Sequence, residues 1–238
     1  MSVHRHPGTE EGRLRATAWR GDARTAQLAA PRGRPSDAEV AETVEALRAA
    51  GYRTVLTTAL GASEQEPFLR AGFVEHERLH LLHRDVERVH APRDVALRKA
   101  RAEDHPAVLA VDALAFRPFW RFDEQSLDDA LRATPASRMR VAVEPSGDRV
   151  VGYAVTGRAA SRGYLQRLAV DPACQRRGIG TALVADGVRW LRRWGAREVL
   201  VNTQEDNAAA LALYRALGFE LEPVGLRVLR LDLEEPGR

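Results

Sequence analysis

The chain has 238 residues, of which 45% are hydrophobic and 29% are charged, and its formal net charge is +3 at pH 7. This length and composition are typical of a globular protein with a hydrophobic core rather than of a disordered chain, and they allow either one large domain or two small ones. The single cysteine, Cys174, excludes an internal disulfide and is typical of proteins in a reducing compartment.

Charge and hydropathy along the chain argue against nucleic acid and membrane as partners. The basic residues are almost all arginine, Lys99 being the only lysine, and no arginine-rich block lies beside interleaved aromatic residues. Residues 1–15 lack an apolar signal-peptide core, and no later stretch reaches the ~20 apolar residues of a membrane span. We therefore predict a cytoplasmic protein that binds neither nucleic acid nor membrane.

The chain begins with a polar tail and a predicted hairpin. Residues 1–12 are the polar tail. Strand-like patterns at residues 14–19 and 25–30 flank the turn residues Gly21 and Asp22, which is typical of a β-hairpin.

An amphipathic helix follows the hairpin. Its cap is Ser36 or Asp37, and Gly51 ends it. The apolar residues at helical spacing are Val40, Val44 and Leu47.

The next elements are a strand at residues 52–58, a short helix at 63–71 and strand structure at 75–85. The histidines of the last segment, His76, His80 and His83, would share one face of a helix. Along a strand the first and second of them stand ~13 Å apart, so no metal site is expected.

Two sequence segments occur twice. Residues 51–56 match residues 195–200, and residues 68–73 match residues 214–219. The charged, proline-containing stretch between the copies predicts a boundary. The predicted organisation is a tail at 1–12, a shortened copy at 13–85, a linker at 86–92 and a complete copy at 93–234.

The complete copy interleaves strands with helices. A strand at residues 95–99 precedes a helix at 101–112, and strands follow around 140–143 and 150–156. This alternation predicts an α/β domain.

A strand, a glycine-rich turn and a helix then follow between Tyr164 and Trp194. Gly178 and Gly180 allow the backbone to approach a ligand closely, and the free N–H groups at the start of the helix favour an anion. A Walker loop is excluded because Thr181 follows Gly180 without a lysine. A dinucleotide fingerprint is disfavoured because Leu183 stands where a third small residue is needed.

The run from Gln175 to Gly180 resembles the Q/R-x-x-G-x-G/A loop of the GNAT superfamily of N-acetyltransferases. Residues 165–172 before it and residues 199–219 after it extend the resemblance. It implies a GNAT fold, a mixed and mostly antiparallel sheet flanked by helices, complete in the C-terminal copy and partial in the N-terminal one. It also implies acetyl-CoA as co-substrate and no metal.

The resemblance assigns the acetyl-CoA contacts residue by residue. The backbone of Leu168, Ala169 and Val170 would pair with the pantetheine arm. Asn207 would bind near pantetheine or cap the following helix, and both interpretations stay open. The residues assigned to the pyrophosphate are Gln175, Arg176, Arg177, Gly178, Ile179, Gly180 and Thr181.

The resemblance also assigns the catalytic residues. Tyr214 would be the general acid that protonates the departing thiolate, the alternative being a tyrosine that only packs its ring. Asn202 stands where ribosomal-protein acetyltransferases often carry a glutamate base. The base is therefore Glu205 or Asp123, or water relays the proton, or the amine arrives neutral.

Two sets of aromatic residues are predicted to pack in the protein core. The aromatics of residues 116–124 lie where the family binds its acceptor, but core packing is the interpretation we favour. Trp190 and Trp194, four residues apart, predict the buried face of the helix that follows the glycine loop.

The shortened copy lacks the features assigned to the complete one. Its residues 30–36 hold one glycine and two prolines, which have no N–H for a phosphate, and Phe68 stands where the complete copy has Tyr214. We expect a non-catalytic copy with a structural role.

The sequence thus predicts an acetyl-CoA-dependent N-acetyltransferase, as a monomer or homodimer. It would transfer an acetyl group to a primary amine of a protein N-terminus or small molecule, by direct attack in a ternary complex. The alternative is a non-catalytic module that binds acetyl-CoA and regulates a partner.

Overall fold

The computed structural model describes residues 14–20, 22–30, 33–86, 94–145 and 147–233. The predicted tail, and the predicted linker apart from Val86, lie outside these ranges. The chain divides into two compact units. Within the described residues, the first unit holds 14–80 and 223–233, and the second holds 81–222.

The regular elements are numbered in chain order. The strands are β1 (Arg15–Trp19), β2 (Asp22–Ala29), β3 (Thr54–Thr57), β4 (Val74–Asp85), β5 (Ala96–Lys99), β6 (Ala136–Val143), β7 (Val150–Ala159), β8 (Arg162–Val170), β9 (Glu198–Gln204), β10 (Glu220–Leu221) and β11 (Leu226–Asp232). The helices are α1 (Asp37–Ala49), α2 (Ala62–Arg70), α3 (His105–Ala115), α4 (Glu124–Arg132), α5 (Ile179–Arg193) and α6 (Ala208–Ala216).

The first unit is a sheet with two helices. Its strand order is β1, β2, β3, β11 and the first part of β4. β1 and β2 pair antiparallel, which confirms the predicted hairpin, and β2 runs parallel to β3 with α1 as the connection. A buried cluster that includes Val40, Val44, Leu47, Phe68 and Phe73 forms its core.

Helix α1 begins and ends as its sequence predicts. The Ser36 hydroxyl accepts a hydrogen bond from the Glu39 amide at 3.2 Å, and the Glu39 carboxylate accepts one from the Ser36 amide at 2.7 Å. This reciprocal arrangement is a capping box. Gly51 follows the helix with φ of +87°, a left-handed conformation that favours glycine.

The units differ from the predicted ranges 13–85 and 93–234. Strand β11 belongs to the first unit, where it pairs antiparallel with β3 and with the first part of β4. The residues of β4 after His80 belong to the second unit. The predicted ranges followed chain order, whereas the pairing of β11 joins residues far apart in the sequence.

The second unit contains a mixed sheet in the order β9, β8, β7, β6 and β5. Neighbouring strands are antiparallel except β8 and β9, which are parallel and are connected by α5. The predicted helix at residues 101–112 is a 3₁₀ turn followed by α3. Within the described residues, no helix is both long and apolar enough to cross a membrane.

Helices cover both faces of this sheet. Successive residues of a strand point to opposite faces. On β7, Tyr153 and Val155 pack in the same cluster as Val108 of α3, whereas Ala154 packs in the same cluster as Leu183 of α5. On β8, Ala169 belongs to the α3 cluster. The α3 side and the α5 side of the sheet are therefore distinct, and β8 presents residues to both.

Candidate active site

The parallel strands β8 and β9 separate before they end. Their pairing runs from Arg162 opposite Glu198 to Leu165 opposite Val201. Beyond these pairs, β8 continues to Val170 and β9 to Gln204. We call this opening the strand split.

A β-bulge lies on β8 where the split begins. Opposite β7, Leu165 pairs with Thr156 and Arg167 pairs with Val155, so Gln166 is an extra residue on β8. A bulge bends its strand and increases the local twist. The bend is the local reason why β8 leaves its partner here.

Beyond Leu165, the edge of β8 that faces β9 has no strand partner among the described residues. The other edge pairs with β7 as far as Val170, opposite Gly152. Backbone N–H and C=O groups on an unpaired strand edge can bind an extended, amide-containing ligand as an additional strand. Leu168, Ala169 and Val170 lie in this part of β8.

The glycine-rich turn between β8 and α5 presents backbone donors. Gly178 is the N-cap residue, with φ of +76° and no hydrogen bond from a capping side chain, and Arg176 also has a positive φ of +63°. The first N–H groups of a helix have no intrahelical partner, and they favour an anion. Gln175, Arg176 and Arg177 are exposed beside them.

Gly180 is needed for close approach of α6 rather than for its backbone conformation. A Cβ atom added there would lie 3.1 Å from Leu213 Cδ2 and 3.9 Å from Val170 Cγ2. The space between the first turn of α5, α6 and the end of β8 is therefore narrow.

Tyr214 of α6 is buried close to where the split begins. It is 4% exposed and belongs to the same buried cluster as Leu165 and Val201, the last paired residues of β8 and β9. Burial raises the pKa of the Tyr214 phenol well above its usual value, and the positive charge of Arg167 opposes this only in part. The phenol consequently stays protonated at neutral pH.

The other predicted polar residues are on the β9 side of the split or are structural caps. Asn202 is exposed on β9 beyond the last paired residue, and Glu205 is exposed after the strand. The Asn207 side chain accepts a hydrogen bond from the Ala210 amide at 3.1 Å and caps α6. Asp123 caps α4 through the Ser126 amide at 2.8 Å.

A buried ionic network lies on the α3 side of β8. Asp112 is fully buried and accepts two hydrogen bonds from Arg167, Nε to Oδ2 at 2.7 Å and Nη2 to Oδ1 at 2.8 Å. The Tyr153 hydroxyl donates to Asp112 Oδ2 at 2.6 Å, and the Phe122 amide donates to Oδ1 at 2.7 Å. Every buried charge in this network therefore has a partner.

Comparison with known proteins identifies the family. The model of the Acetyltransferase (GNAT) family matches residues 97–219, about half of the chain. A protein named mycothiol acetyltransferase from Amycolatopsis mediterranei is 31% identical over 212 residues, covering 80% of this chain and 69% of that protein. The chain belongs to the GNAT family.

A second relative of this GNAT chain matches over a shorter part. The protein named mycothiol acetyltransferase from Saccharomonospora viridis is 36% identical over 148 residues, covering 54% of this chain. The chain spans about half the length of that relative, 47%.

Solved structures confirm the predicted GNAT fold. A tandem GNAT protein from the clavulanic acid biosynthesis pathway superposes with a TM-score of 0.68 at 18% identity, covering 92% of this chain and 78% of that one. A GCN5-related N-acetyltransferase from Sphaerobacter thermophilus gives 0.60 at 19% identity, covering 92% and 76%. At these identities the likeness concerns the fold alone.

The structure of this GNAT chain brings most of the predicted site residues together. Residues 168–170, the loop at 175–181 and Tyr214 all border the strand split or the start of α5. Asn207 lies at the start of α6, so its interpretation as a cap is confirmed, and its contact with pantetheine stays a prediction. Among the described residues, no three metal-ligating side chains are grouped as a metal site would require.

The sequence interpretation missed the Asp112 network. Two signals pointed to it: an aspartate beside the apolar Val108 and Val111 of α3, and an arginine inside the alternating strand β8. Neither signal says that the two side chains meet.

The predicted burial of Trp194 is wrong. Helix α5 ends at Arg193, and Trp194 follows it with 58% of its surface exposed. Trp190 is half-buried, and its ring lies 5.4 Å from the guanidinium carbon of Arg138. Both tryptophans line an open cleft of about 350 Å³ that contains none of the predicted site residues.

Proposed function

We propose that this protein is an acetyl-CoA-dependent N-acetyltransferase that acts on a primary amine. The observation that carries the proposal is the strand split, with a free strand edge on one side and the buried, protonated Tyr214 next to it. Membership of the GNAT family supports it.

The residues present fit acetyl-CoA. The pantetheine arm carries amides, which suit the free edge of Leu168, Ala169 and Val170. The pyrophosphate is an anion, which suits the uncapped start of α5 and the exposed side chains of Arg176 and Arg177. When bound, acetyl-CoA supplies an acetyl thioester that an amine can attack.

The chemistry requires two proton transfers. A C–N bond forms to the amine, the C–S bond breaks, the amine loses a proton and the departing thiolate gains one. Tyr214 is proposed to donate that last proton, because its phenol is protonated and buried beside the split.

The amine proton has several proposed acceptors. Asn202 cannot act as a base, because an amide has no basic group at neutral pH. Asp123 is already engaged as a helix cap, and Glu205 is exposed. We therefore favour loss of the proton to water, or an amine that binds in its neutral form.

The acceptor is proposed to be a small-molecule amine, with a protein N-terminus as the other candidate. Relatives named mycothiol acetyltransferase are 31% and 36% identical to this chain, which favours an amine precursor of mycothiol that lacks the acetyl group.

The first unit is proposed to be a non-catalytic copy of the second. Both contain a strand, a helix and a parallel strand in the same order. In the first unit, however, β2 and β3 pair to their ends: Thr57 is opposite Leu28, and the Thr58 amide bonds the Leu28 carbonyl at 2.8 Å. The start of α1 is also closed by its own capping box, which leaves fewer donors for a phosphate.

An acceptor screen tests the proposed function. The purified full chain would be mixed with acetyl-CoA and one of five amines: spermidine, kanamycin, L-cysteine, a peptide with an N-terminal alanine, or the mycothiol precursor without its acetyl group. Mass spectrometry of the acceptor, rather than thiol detection, avoids interference from acceptors that carry a thiol.

We expect one class of amine to gain an acetyl group at a rate that increases with enzyme concentration. Binding of acetyl-CoA in calorimetry without acetylation of any amine would instead favour the regulatory module. Absence of acetyl-CoA binding would contradict both interpretations.

A further inference from the structure

The segment between α3 and α4 contacts both sides of the strand split. We call residues 116–122 the aromatic loop. Arg167, on β8, donates a hydrogen bond through Nη2 to the Trp120 carbonyl at 2.6 Å. Arg117 Nη1 lies 3.5 Å from Asp206 Oδ2, in the turn after β9. The loop therefore spans the opening between the two strands.

The ion pair of Asp112 and Arg167 fixes this loop at two backbone groups. The same guanidinium that binds Asp112 donates to Trp120, and the same carboxylate accepts the Phe122 amide. Both side chains are almost fully buried, with 0% and 8% of their surface exposed. Such a pair is held in one geometry, because each alternative leaves a buried group without its partner.

Aromatic stacking fixes the plane of the guanidinium. The guanidinium carbon of Arg167 lies 3.5 Å from the centre of the Phe116 ring and 3.9 Å from the centre of the Phe122 ring. A lysine cannot make both interactions, because its single ammonium group neither stacks as a plane nor donates two parallel hydrogen bonds to one carboxylate.

The pair lies on the α3 side of β8 rather than on the α5 side, where the glycine-rich turn is. Tyr153 and Ala169 belong to the α3 cluster, whereas Leu168, Val170 and Ile179 belong to the α5 cluster next to the glycine-rich turn. Arg167 alternates with Leu168 and so shares the side of Ala169. Arg167 stands two residues along β8 from Leu165, which belongs to the same buried cluster as Tyr214, the proposed proton donor.

We propose that Asp112 and Arg167 act as positioning residues that hold the aromatic loop across the strand split and thereby set the affinity for the amine acceptor. This inference rests on the proposed function. It predicts that loss of the pair weakens acceptor binding and leaves acetyl-CoA binding intact.

The direct test is the variant Arg167→Lys, compared with Asp104→Asn as a control at a second bidentate ion pair. Asp104 also forms a bidentate pair, with Arg98 at 2.7 and 2.8 Å, but this pair does not contact the aromatic loop. With the acceptor of highest kcat/KM in the screen, Arg167→Lys should raise the acceptor KM about tenfold or more. The Kd for acetyl-CoA should stay within about twofold in both variants.

A second measurement needs no acceptor. Hydrogen exchange of the wild type should show protection of the Phe122 amide, which bonds Asp112. In Asp112→Leu/Arg167→Met, which removes both charges together and also the carboxylate that accepts the Phe122 amide, residues 116–122 should exchange at least about tenfold faster. This double variant also replaces the single variant if the latter fails to fold.

The outcomes separate this inference from the proposed function. An acceptor KM that changes no more than in Asp104→Asn, or loop exchange that is unchanged in the double variant, overturns the inference while leaving acetyl transfer in place. A wild type that acetylates no amine overturns the proposed function, and the exchange measurement then still decides whether the pair holds the loop.

Discussion

Tyr214 and Phe68 occupy matching positions in the two similar sequence segments, 214–219 and 68–73, and differ by one hydroxyl. The Tyr214 and Phe219 ring centres are 5.5 Å apart, and those of Phe68 and Phe73 are 5.4 Å apart. The Phe219 amide donates a hydrogen bond to the Tyr214 carbonyl at 3.0 Å, and the Phe73 amide donates one to the Phe68 carbonyl at 3.1 Å. A phenylalanine therefore packs against the following phenylalanine as the tyrosine does. The hydroxyl of Tyr214 is not needed for this packing, which is consistent with its proposed role as a proton donor.

Tyr214→Phe should lower kcat about 10²-fold or more, with little change in acetyl-CoA affinity, because it removes a proton donor that acts in the transition state. Single-turnover kinetics would separate the chemical step from product release. Tyr164→Phe, in the same unit, is the control and should retain full activity. An unchanged single-turnover rate in Tyr214→Phe would remove this residue from the mechanism.

Gly180→Glu should abolish acetyl-CoA binding, because it adds a negative charge in the first turn of α5, beside the proposed pyrophosphate site. The matched control is Gly180→Ala, which introduces the same Cβ contact with Leu213, at 3.1 Å, without the charge. Thermal shift with acetyl-CoA is the measurement, since a ligand stabilises the folded state it binds. Equal stabilisation of wild type and Gly180→Glu would contradict the assignment of the loop.

At the scale of elements, the two parallel strand pairs differ in one respect. β2 and β3 pair to their ends, whereas β8 bulges at Gln166 and leaves β9 beyond Leu165. One extra residue on β8 thus accompanies the change from a closed pair to an open edge. The bulge at Gln166 is thus a local feature of β8 that accompanies the opening of the proposed acetyl-CoA site.

The junction of β5 and the start of α3 should lose stability in acid. Hydrogen bonds from Arg98, then from the Arg101 amide, lower the pKa of Asp104 from 3.8 to about 2. A lowered pKa stabilises the fold above the unfolded value near 3.8, and this contribution is lost as the pH falls toward 2. Its size is at most about 2 kcal/mol.

Urea unfolding of the wild type and Asp104→Asn between pH 7 and pH 2 measures this contribution. The stability difference between them should be largest at neutral pH and should shrink below pH 4. A difference that does not change with pH would show that the charge of Asp104 does not contribute.

For the whole molecule, we expect one acetyl-CoA per chain. In the first unit, the parallel strands β2 and β3 pair to their ends and α1 is capped, whereas in the second unit β8 leaves β9 and α5 starts without a side-chain cap. Titration calorimetry on the full chain should give a stoichiometry of one, with no binding in Gly180→Glu. Two sites, or a site that survives in that variant, would show that the first unit also binds the co-substrate.

Features that depend only on neighbouring residues could be predicted from the sequence. Gly51 and Gly178 have the left-handed conformations that their turns require, and Ser36 caps α1. Such features follow from local backbone preferences and short-range hydrogen bonds, which act over one or two helical turns.

Features that join distant segments could not be predicted from the sequence, because they depend on the packing of the whole chain. Arg167 meets Asp112 across 55 residues, Tyr153 meets it across 41, and β11 pairs with strands of the first unit. The exposure of Trp194 likewise depends on where α5 ends. Residue pattern sets which side chains are apolar or charged, but which of them meet depends on strand pairing and packing over the whole chain.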